Sequence, residues 1–428
     1  MVVAVVLETW PKASERFISR ELAALAGLGL DLRIFAVARG PEGLLAEEPF
    51  AGLAGRVSWL PGALSARGLA GGAGAAAASP GRMLRLLPAA VSGELRDPVR
   101  LARLLPRMAL APALAREVRR AGAELLWAHF ASLPGAVGWM ASRLAGVPFA
   151  LSVHAWDVFV NRALVAAQLE EARLVTACSR AAMEFLQRTY GPSAAKVELC
   201  YHGVPLPEGN DRHPALGLRL AEKQPPAVPK AESPKPQARP GCPFRVLAIG
   251  RLVPKKGFAY LIEAAALARG GFEVELAGDG PERGALEALA AARGLTERVT
   301  FSGEVGAVEL SAACARADAV CAPSVVAPDG DRDGVPNSLL EAMACGLPAV
   351  AADAGGLGEA VEDGRSGLLV PPADPPALAA AIGRIAGDPP LAARLASGAG
   401  ELLRERFSLE RNVRRLAGLL AAAAGRDA

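Results

Sequence analysis

Hydrophobic positions in this chain form short apolar runs that alternate with stretches of helical spacing. Residues 2–7 predict a first strand, which leads through the turn TWPKASERF into a helix ending near residues 27–29. A second strand is predicted at 32–37, so the opening reads as a βαβ unit with its loop at the carboxyl edge of a parallel sheet. We expect Ser14 to cap this helix and Glu15 to lie in its first turn.

The same alternation resumes at Glu124 and, after an interruption, at Phe244. The predicted strands are LLWAHF, PFALSVHAW, LVTAC and KVELC in the first series, and FRVLAIG, EVELAG, VTFSG, AVCAPS, PAVAAD and GLLVPP in the second. Helical spacing follows most of these strands, and the last helix is predicted at about 409–423. Residues 205–243 are rich in proline and charge, which is typical of a semi-rigid linker.

This pattern predicts an α/β protein with two doubly wound, Rossmann-like domains. We place the first domain at 1–204, the linker at 205–243, the second domain at 244–405 and a final helix at 406–428. In proteins of this plan a ligand is expected in the cleft between the domains.

Composition limits the class of protein. At 428 residues, with 52% hydrophobic and 21% charged residues, the chain can build two globular cores. A formal charge of +3 gives no support for nucleic-acid binding. The N-terminus lacks a signal-peptide pattern and no apolar run reaches about 18 residues, so we expect a cytoplasmic protein with at most peripheral membrane contact. The six cysteines show no metal-ligand spacing and are expected to be buried free thiols.

One segment departs from this even balance of charge. Between Arg82 and Arg120 nine arginines stand against three acidic residues, with apolar residues at helical spacing between them. Prolines, including Pro112, are expected to break these helices. Contact with an anionic membrane surface and ordinary surface helices are both consistent with the pattern.

Three histidines stand at the ends of predicted strands of the first domain: His129, His154 and His202. The carboxyl ends of parallel strands are where open α/β sheets bind ligands. A lone strand-end histidine is more often structural, so His154, with Asp157 just beyond it, is the strongest candidate.

The most informative stretch is DGDRDGVPNSLLEAMACGLPAV, residues 329–350. It begins as an acidic loop and becomes a helix at Pro336-Asn337, with Asp333 before the helix and Glu341 inside it. Free N–H groups at a helix start bind anions, and carboxylates bind hydroxyls. The combination indicates a phosphorylated sugar or nucleotide, and an ordinary capped loop is the alternative.

Arg251 and Lys256 bracket the turn after the first strand of the second domain and suit a diphosphate. Lys255 is adjacent, and spacing does not decide between the two lysines. The Asp-x-Asp sequences within 329–333 resemble a cation site, but Arg332 would compete for their charges. Gly278-Asp279-Gly280 lacks the third glycine of a dinucleotide fingerprint, so a backbone surface for a base is preferred there.

These motifs, in this order, resemble a known family. GRLVPKKG, AGDGPE, DGVPNSLLEAMACGLPAVA and AGGLGEAVEDGRSGLLVPP look like the donor domain of family-4 retaining glycosyltransferases with a GT-B fold. The match covers about residues 244–385. In the first half, PKASERF resembles the PxxSETF loop of exopolysaccharide-type members, and WAHF and VHAWD resemble their HAHF and HGxD strand ends.

The resemblance implies a role for each matching residue. Arg251 and Lys256 would hold the donor diphosphate, Glu341 would bind the ribose hydroxyls, and Asp333 would contact the transferred sugar where the family has a glutamate. His154, Arg251, Lys256 and Asp333 are thus the implied catalytic residues. The remaining implied donor contacts are Gly280, Val305, Gly334, Val335, Pro336 and Asn337, and the implied acceptor contacts are Ser14, Glu15, His129 and Asp157.

The implied activity is transfer from a nucleotide-diphosphate sugar to a glycan or lipid-linked acceptor in bacterial surface polysaccharide synthesis. No covalent intermediate, metal or other cofactor is expected, and the final helix would cross back onto the first domain. Two alternatives remain open from sequence. One is a nucleotide-sugar 2-epimerase of similar build, and the other is a non-catalytic sugar-nucleotide-binding protein, prompted by Asp333.

Overall fold

The computed structural model describes residues 1–60, 110–162, 164–206, 243–268 and 270–426. It divides into two compact units, Met1–Tyr201 with Glu410–Ala428, and His202–Leu409. Most of the predicted linker, and residues 82–109 of the arginine-rich segment, lie outside the described residues. Among the described residues, no helix combines the length and the apolar character that a membrane crossing requires.

In the described part of the first unit, seven strands form one parallel sheet in the order β3-β2-β1-β4-β5-β6-β7. Every residue of β4 and β5 is buried, because helices cover both faces of such a sheet. The strands are β1 Val2–Trp10, β2 Asp31–Arg39, β3 Val57–Trp59, β4 Leu125–His129, β5 Phe149–Val153, β6 Leu174–Ala177 and β7 Val197–Leu199.

The helices of this unit follow the predicted plan closely. They are α1 Arg16–Gly27, α2 Phe50–Leu53, α3 at 110–120, α4 Leu133–Ala145, α5 Ala155–Phe159, α6 Val165–Glu171 and α7 Arg180–Tyr190. Pro112 lies in the first described turn of α3, where a proline is tolerated because its missing N–H costs no helical hydrogen bond. The apolar face of α3 packs into the core through Leu114 and Val118. That face is therefore covered by protein, while Arg116 and Arg120 are exposed.

Two local predictions in the first unit are corrected. Ser14 does not cap α1, since a 3-10 turn at Ala13–Glu15 precedes the helix and Glu15 takes the N-cap position. The strand predicted to reach Trp156 ends at Val153. His154 is the N-cap of α5 and its backbone N–H donates to the Asp157 carboxylate at 3.2 Å, so local capping overrides the apolar run.

In the described part of the second unit, six strands form a parallel sheet in the order β10-β9-β8-β11-β12-β13. The strands are β8 Arg245–Ile249, β9 Glu273–Ala277, β10 Val299–Gly303, β11 Ala319–Ala322, β12 Ala349–Ala352 and β13 Gly367–Val370. The helices are α8 Phe258–Leu267, α9 Arg283–Ala292, α10 Ala307–Arg316, α11 Asn337–Ala344, α12 Leu357–Ala360, α13 Pro375–Gly387 and α14 Pro389–Arg406. These two doubly wound, Rossmann-like sheets confirm the predicted GT-B fold class.

The last helix, α15 Leu409–Ala423, is grouped almost entirely with the first unit. Leu416 and Leu420 are buried. The Arg415 guanidinium lies 2.9 Å from the carboxylate of Glu198 in β7. The helix therefore packs into the first unit. The other helices and strands of that unit end more than 200 residues earlier in the sequence.

Candidate functional site

The best-defined site lies where the strand order of the second sheet reverses. β8 and β11 are neighbours there, although β9 and β10 separate them in sequence. In open parallel sheets the carboxyl ends of two such strands border a crevice that binds ligands. The loop after β8 carries Lys256, and the loop after β11 carries Ser324 and Asp333.

Asp333 is the centre of this site. It is 7% exposed, and one carboxylate oxygen accepts hydrogen bonds from Lys256 Nζ at 2.8 Å and Ser324 Oγ at 2.7 Å. Burial raises the pKa of Asp333, but the charges of Lys256 and Lys255 and these two hydrogen bonds outweigh it. The pKa therefore lies below its usual value, and Asp333 is ionised at neutral pH.

The two adjacent lysines have different partners. Lys255 Nζ donates to Asp331 at 3.0 Å and lies 3.8 Å from Asp333, whereas Lys256 binds Asp333 directly. A side chain on Gly250, at the end of β8, would meet Lys256 Cε at 2.9 Å. Lys256 thus lies along the end of β8 in the crevice. Asp331 and Asp333, the Asp-x-Asp carboxylates, each face an ammonium group.

Arg251 differs from Lys256 in being exposed, directly after Gly250 at the end of β8. No ion pair in the described part of the chain holds its guanidinium. Arg251 thus offers a charge that no acidic residue among those described neutralises.

The start of α11 faces the same loops. The helix begins after Pro336 without a side-chain cap, and Ser338 Oγ donates to the carbonyl of Ile249 at 3.3 Å. No described residue accepts a hydrogen bond from the backbone N–H of Gly334, Val335 or Asn337. Those N–H groups can bind an anion at the positive end of the helix.

Lys256, Pro336, Ser338 and Leu339 line a small cavity between the ends of β8 and β11. Glu341 lies one turn further along α11 and is half-buried. The cavity and Glu341 therefore both lie along α11, beside the ends of β8 and β11.

Gly280 and Val305, the other predicted donor contacts, follow β9 and β10. The backbone N–H of Gly280 is taken by the Asp279 side chain at 2.7 Å. A Cβ on Gly280 would come within 2.5 Å of the Leu252 carbonyl. Glycine is therefore required here for backbone packing against the loop after β8. Val305 is half-buried in the loop that precedes α10.

The loop after β12 also contributes to the site, although its motif did not predict this contribution. Gly356 N–H donates to the Asp333 carbonyl at 3.0 Å. A Cβ on Gly355, whose φ is +62°, would lie 2.1 Å from that same oxygen. The paired glycines of AGGLGE were the available signal, because only glycine permits both the positive φ and the close approach.

A second group of predicted residues gathers at the carboxyl edge of the first sheet. His129 ends β4, His154 follows β5, and both rings are buried. The His154 ring lies 5.8 Å from that of His129 and 4.1 Å from that of Phe130, whose φ of 72° is unusual for a bulky residue. Glu21 Oε1 lies 4.0 Å from His129 Nε2.

Asp157, a predicted acceptor contact, is completely buried, and its carboxylate accepts the His154 backbone N–H at 3.2 Å. Burial raises its pKa to about 7, although hydrogen bonds from the backbone N–H groups of Ala131, His154 and Ser132 lower it in part. Its carboxylate caps α5 and fixes His154. In this structure its contribution to a site is to position His154.

Ser14 and Glu15 lie in the turn after β1, at the strand-order reversal of the first sheet. Ser14 is exposed, and the Lys12 ammonium binds the Glu15 carboxylate. Burial raises the pKa of Glu15, and the hydrogen bond from Lys12 opposes that shift. Ser14 is thus accessible to a ligand, whereas Glu15 is already paired.

Each half of the chain matches a protein-family model. Residues 243–388 match the model described as glycosyl transferases group 1, and residues 14–207 match glycosyltransferase family 4.

Relatives agree with these models. A GDP-mannose-dependent alpha-(1-6)-phosphatidylinositol monomannoside mannosyltransferase of Mycolicibacterium smegmatis is 31% identical over 70% of this chain and 76% of its own. An alpha-D-kanosaminyltransferase of Streptomyces kanamyceticus is 38% identical over 41% of this chain and 44% of its own. A putative colanic acid biosynthesis glycosyltransferase of Salmonella typhimurium is 36% identical over 33% of this chain and 36% of its own.

The chain therefore belongs to glycosyltransferase family 4, and the colanic acid relative confirms the resemblance to its exopolysaccharide-type branch. The matches span only 44% and 36% of the lengths of the kanosaminyltransferase and the colanic acid relative. Among solved structures, Anabaena Alr3699/HepE in complex with UDP and glucose superposes with a TM-score of 0.68 at 23% identity. That superposition covers 99% of this chain and 100% of the other.

Proposed function

We propose that this protein is a retaining glycosyltransferase that uses a nucleotide-diphosphate sugar to glycosylate a glycan or lipid-linked acceptor in bacterial surface polysaccharide synthesis. The observation that carries the proposal is the Lys256–Asp333 pair beside the uncapped start of α11. Membership in the family supports the reaction class. The similarity to the colanic acid biosynthesis relative supports the pathway.

The donor diphosphate would bind Arg251, Lys256 and the free N–H groups at the start of α11. Together these groups carry two positive charges and the positive end of a helix dipole. They would stabilise the negative charge that develops on the leaving diphosphate, which is the main source of rate in such a site. Glu341 would bind the ribose hydroxyls, and Gly280 and Val305 would lie toward the base.

Asp333 would contact hydroxyls of the transferred sugar while it keeps Lys256 in place. Its carboxylate is one methylene shorter than the glutamate expected from the resemblance, and Ser324 and Lys256 already bind one of its oxygens. The other oxygen would therefore serve the sugar. Asp333 and Glu341 bind hydroxyls in this proposal and do not form a hydrolase acid and nucleophile pair.

In the proposed reaction the bond from the anomeric carbon to the diphosphate oxygen breaks. The acceptor oxygen bonds to that carbon on the same face, and its proton moves to the departing phosphate oxygen. His154 would orient the acceptor side of the reaction, held by its capping bonds to Asp157. We propose that no metal is required, since lysine and arginine side chains supply the positive charge.

The test is a donor panel of UDP-, GDP- and dTDP-sugars with lipid-linked saccharide acceptors, with and without EDTA. We expect transfer from one class of donor, unchanged by EDTA, and a product whose anomeric configuration by NMR matches that of the donor. Inversion would exclude the retaining mechanism. Conversion of UDP-N-acetylglucosamine to its 2-epimer would favour an epimerase. Donor binding with neither transfer nor hydrolysis would indicate a binding protein.

A further inference from the structure

Trp156 stands apart from the other tryptophans of the chain. It is 45% exposed, whereas Trp10, Trp127 and Trp139 are fully buried and Trp59 is covered by the Arg39 guanidinium, 4.2 Å from its ring. Its indole makes no hydrogen bond or ring contact with any residue that the structure describes. Tryptophan is enriched at binding interfaces because its indole combines a large apolar face with a polar N–H group.

The backbone that carries this indole is fixed. Trp156 lies on α5, whose next three residues, Asp157, Val158 and Phe159, are buried. The Trp156 carbonyl accepts hydrogen bonds from the N–H groups of Val160 and Asn161 at 3.0 and 2.9 Å. A side chain on such an anchored turn loses little conformational entropy when a ligand binds it.

The position of α5 relates Trp156 to the histidine cluster. Trp156 follows His154 by two residues, at the carboxyl edge of the first sheet. His154 packs against Phe130, and the Phe17 ring of α1 lies 5.7 Å from the His154 ring. This edge of the sheet thus carries several aromatic rings, of which the Trp156 indole is the most exposed.

We infer that Trp156 is a stacking platform for a pyranose ring of the acceptor glycan. A pyranose presents C–H groups on one face and hydroxyls around its rim, so an indole covers its apolar face while water or polar groups keep the hydroxyls. The inference rests on the proposed function and names the acceptor-side contact of that same reaction.

A membrane surface fits this residue less well. An interfacial helix needs a continuous exposed apolar face, but the other large apolar residues of α5, Val158 and Phe159, point into the core. A single exposed indole on a five-residue helix provides one flat contact, which matches one sugar ring.

The first test uses the full chain and needs no activity. Acrylamide quenches exposed indoles selectively, so in this protein it reports mainly on Trp156. We expect α- or β-linked di- and trisaccharides of glucose, galactose, mannose or N-acetylglucosamine to protect the fluorescence, and Trp156→Phe to abolish that protectable component. The inference is overturned if no saccharide protects it, or if phosphatidylglycerol vesicles protect it and saccharides do not.

The second test uses substitutions in the transfer assay. Trp156→Ala should raise the KM for the acceptor roughly tenfold more than the KM for the donor, as expected for loss of an aromatic anchor. Trp156→Phe should restore most of the difference and Trp156→Leu should not, because leucine keeps apolar area without a ring face. Leu267→Ala, which removes another exposed apolar side chain in the second unit, is the matched control.

Equal KM ratios in wild type and Trp156→Ala, with both proteins folded by thermal melting, would overturn the inference while leaving the proposed function intact. Equal restoration by leucine and phenylalanine would also overturn it. Absence of transfer and donor hydrolysis in the wild type would instead contradict the proposed function, and the quenching experiment would still decide the role of Trp156.

Discussion

Lys256 and Arg251 are both proposed to bind the donor diphosphate, yet the protein holds them differently. Lys256 is bound to the buried Asp333 carboxylate, whereas Arg251 is exposed. Sequence spacing predicted both cations but did not choose between Lys255 and Lys256. That choice depends on which ammonium reaches Asp333 from a turn closed by Gly257, a three-dimensional property that local sequence does not encode.

Because Arg251 is exposed and Lys256 is bound to Asp333, their alanine variants should differ in stability although both should slow transfer. Arg251→Ala should leave the free energy of unfolding within about 0.5 kcal/mol of wild type, since the side chain is exposed. Lys256→Ala should lower it by roughly 1–3 kcal/mol, because Asp333 loses a buried charged partner. Both should slow transfer roughly a hundredfold or more, as measured by kcat with saturating acceptor.

Lys255→Ala is the matched control, since Lys255 binds Asp331 and approaches Asp333 only at 3.8 Å. It should reduce kcat far less than Lys256→Ala. A Lys255 variant as impaired as the Lys256 variant, or a fully active Arg251 variant, would contradict the assignment.

Asp157 is a second buried carboxylate, but its surroundings raise its pKa, whereas those of Asp333 lower it. Burial raises its pKa from 3.8 to about 7, so the folded state holds a proton that the unfolded state releases between these values. Stability should therefore be unaffected by Asp157 below about pH 4 and fall as pH rises toward 7, by up to about 1.4 kcal/mol per pH unit. Above pH 7 both states are ionised and the full penalty remains.

Asp157→Asn removes this titration and keeps an oxygen for the backbone N–H groups that Asp157 binds. In urea denaturation at pH 5, 6, 7 and 8, the stability of the variant relative to wild type should increase from pH 5 to 7 and then level off. A difference that does not change with pH would show that Asp157 ionises normally in the folded protein.

At the scale of elements, most strands and long helices could be predicted because their apolar runs are continuous and strongly periodic. The boundary between β5 and α5 could not, because an apolar run continues through Trp156 while His154 and Asp157 form a cap. The packing of the apolar face of α3 into the core of the first unit also could not be read from local sequence. In both cases capping or tertiary contacts determine the structure, and the local hydrophobic pattern does not.

A contact between two loops of the second unit also could not be predicted from the sequence. The loop after β12 packs against the Asp333 carbonyl. The N–H of Gly356 donates to that oxygen, and Gly355 lies close to it. This support is formed by backbone atoms about twenty residues apart. Paired glycines signal a constrained backbone but do not say which segment lies against it.

Gly355→Ala should displace the Asp333 backbone, because the added methyl group would lie 2.1 Å from the Asp333 carbonyl oxygen. We expect a loss of roughly 2 kcal/mol in stability and at least about a tenfold rise in the KM for the donor. Gly364→Ala is the control, since Gly364 has a similar φ of +72° with no atom within 4 Å of the added carbon.

Stability and donor KM should be measured together for both glycine variants. If Gly364→Ala raises the donor KM as much as Gly355→Ala does, backbone strain alone explains the effect and the loop does not support Asp333.

At the scale of the molecule, the sequence could predict two doubly wound units because the βα alternation restarts after the proline-rich stretch. It could also place candidate residues at strand ends, since parallel strands share one carboxyl edge. The strand order could not be derived from sequence pattern, yet that order makes β8 and β11 neighbours and so brings Lys256 to Asp333. The site is therefore a consequence of topology as much as of its motifs.

The final helix α15 joins the first unit, so this unit contains residues from both ends of the sequence. Leu420 is completely buried, whereas the adjacent Leu419 is only partly buried. The exposed ion pair between Arg415 and Glu198 contributes less than the buried leucines, since such pairs are worth about 0–1 kcal/mol. Burial of apolar side chains should thus hold α15 in the first unit.

Leu420→Ala should cost roughly 2–5 kcal/mol, the usual range for a cavity left by a buried leucine, and Leu419→Ala should cost clearly less. Because α15 belongs to the first unit, hydrogen exchange should accelerate in α15 and in the strands of that unit. The amides of β8 to β13 should keep their protection. Faster exchange confined to the second unit would show that α15 stabilises the other half of the chain, and the assignment of this helix would then be wrong.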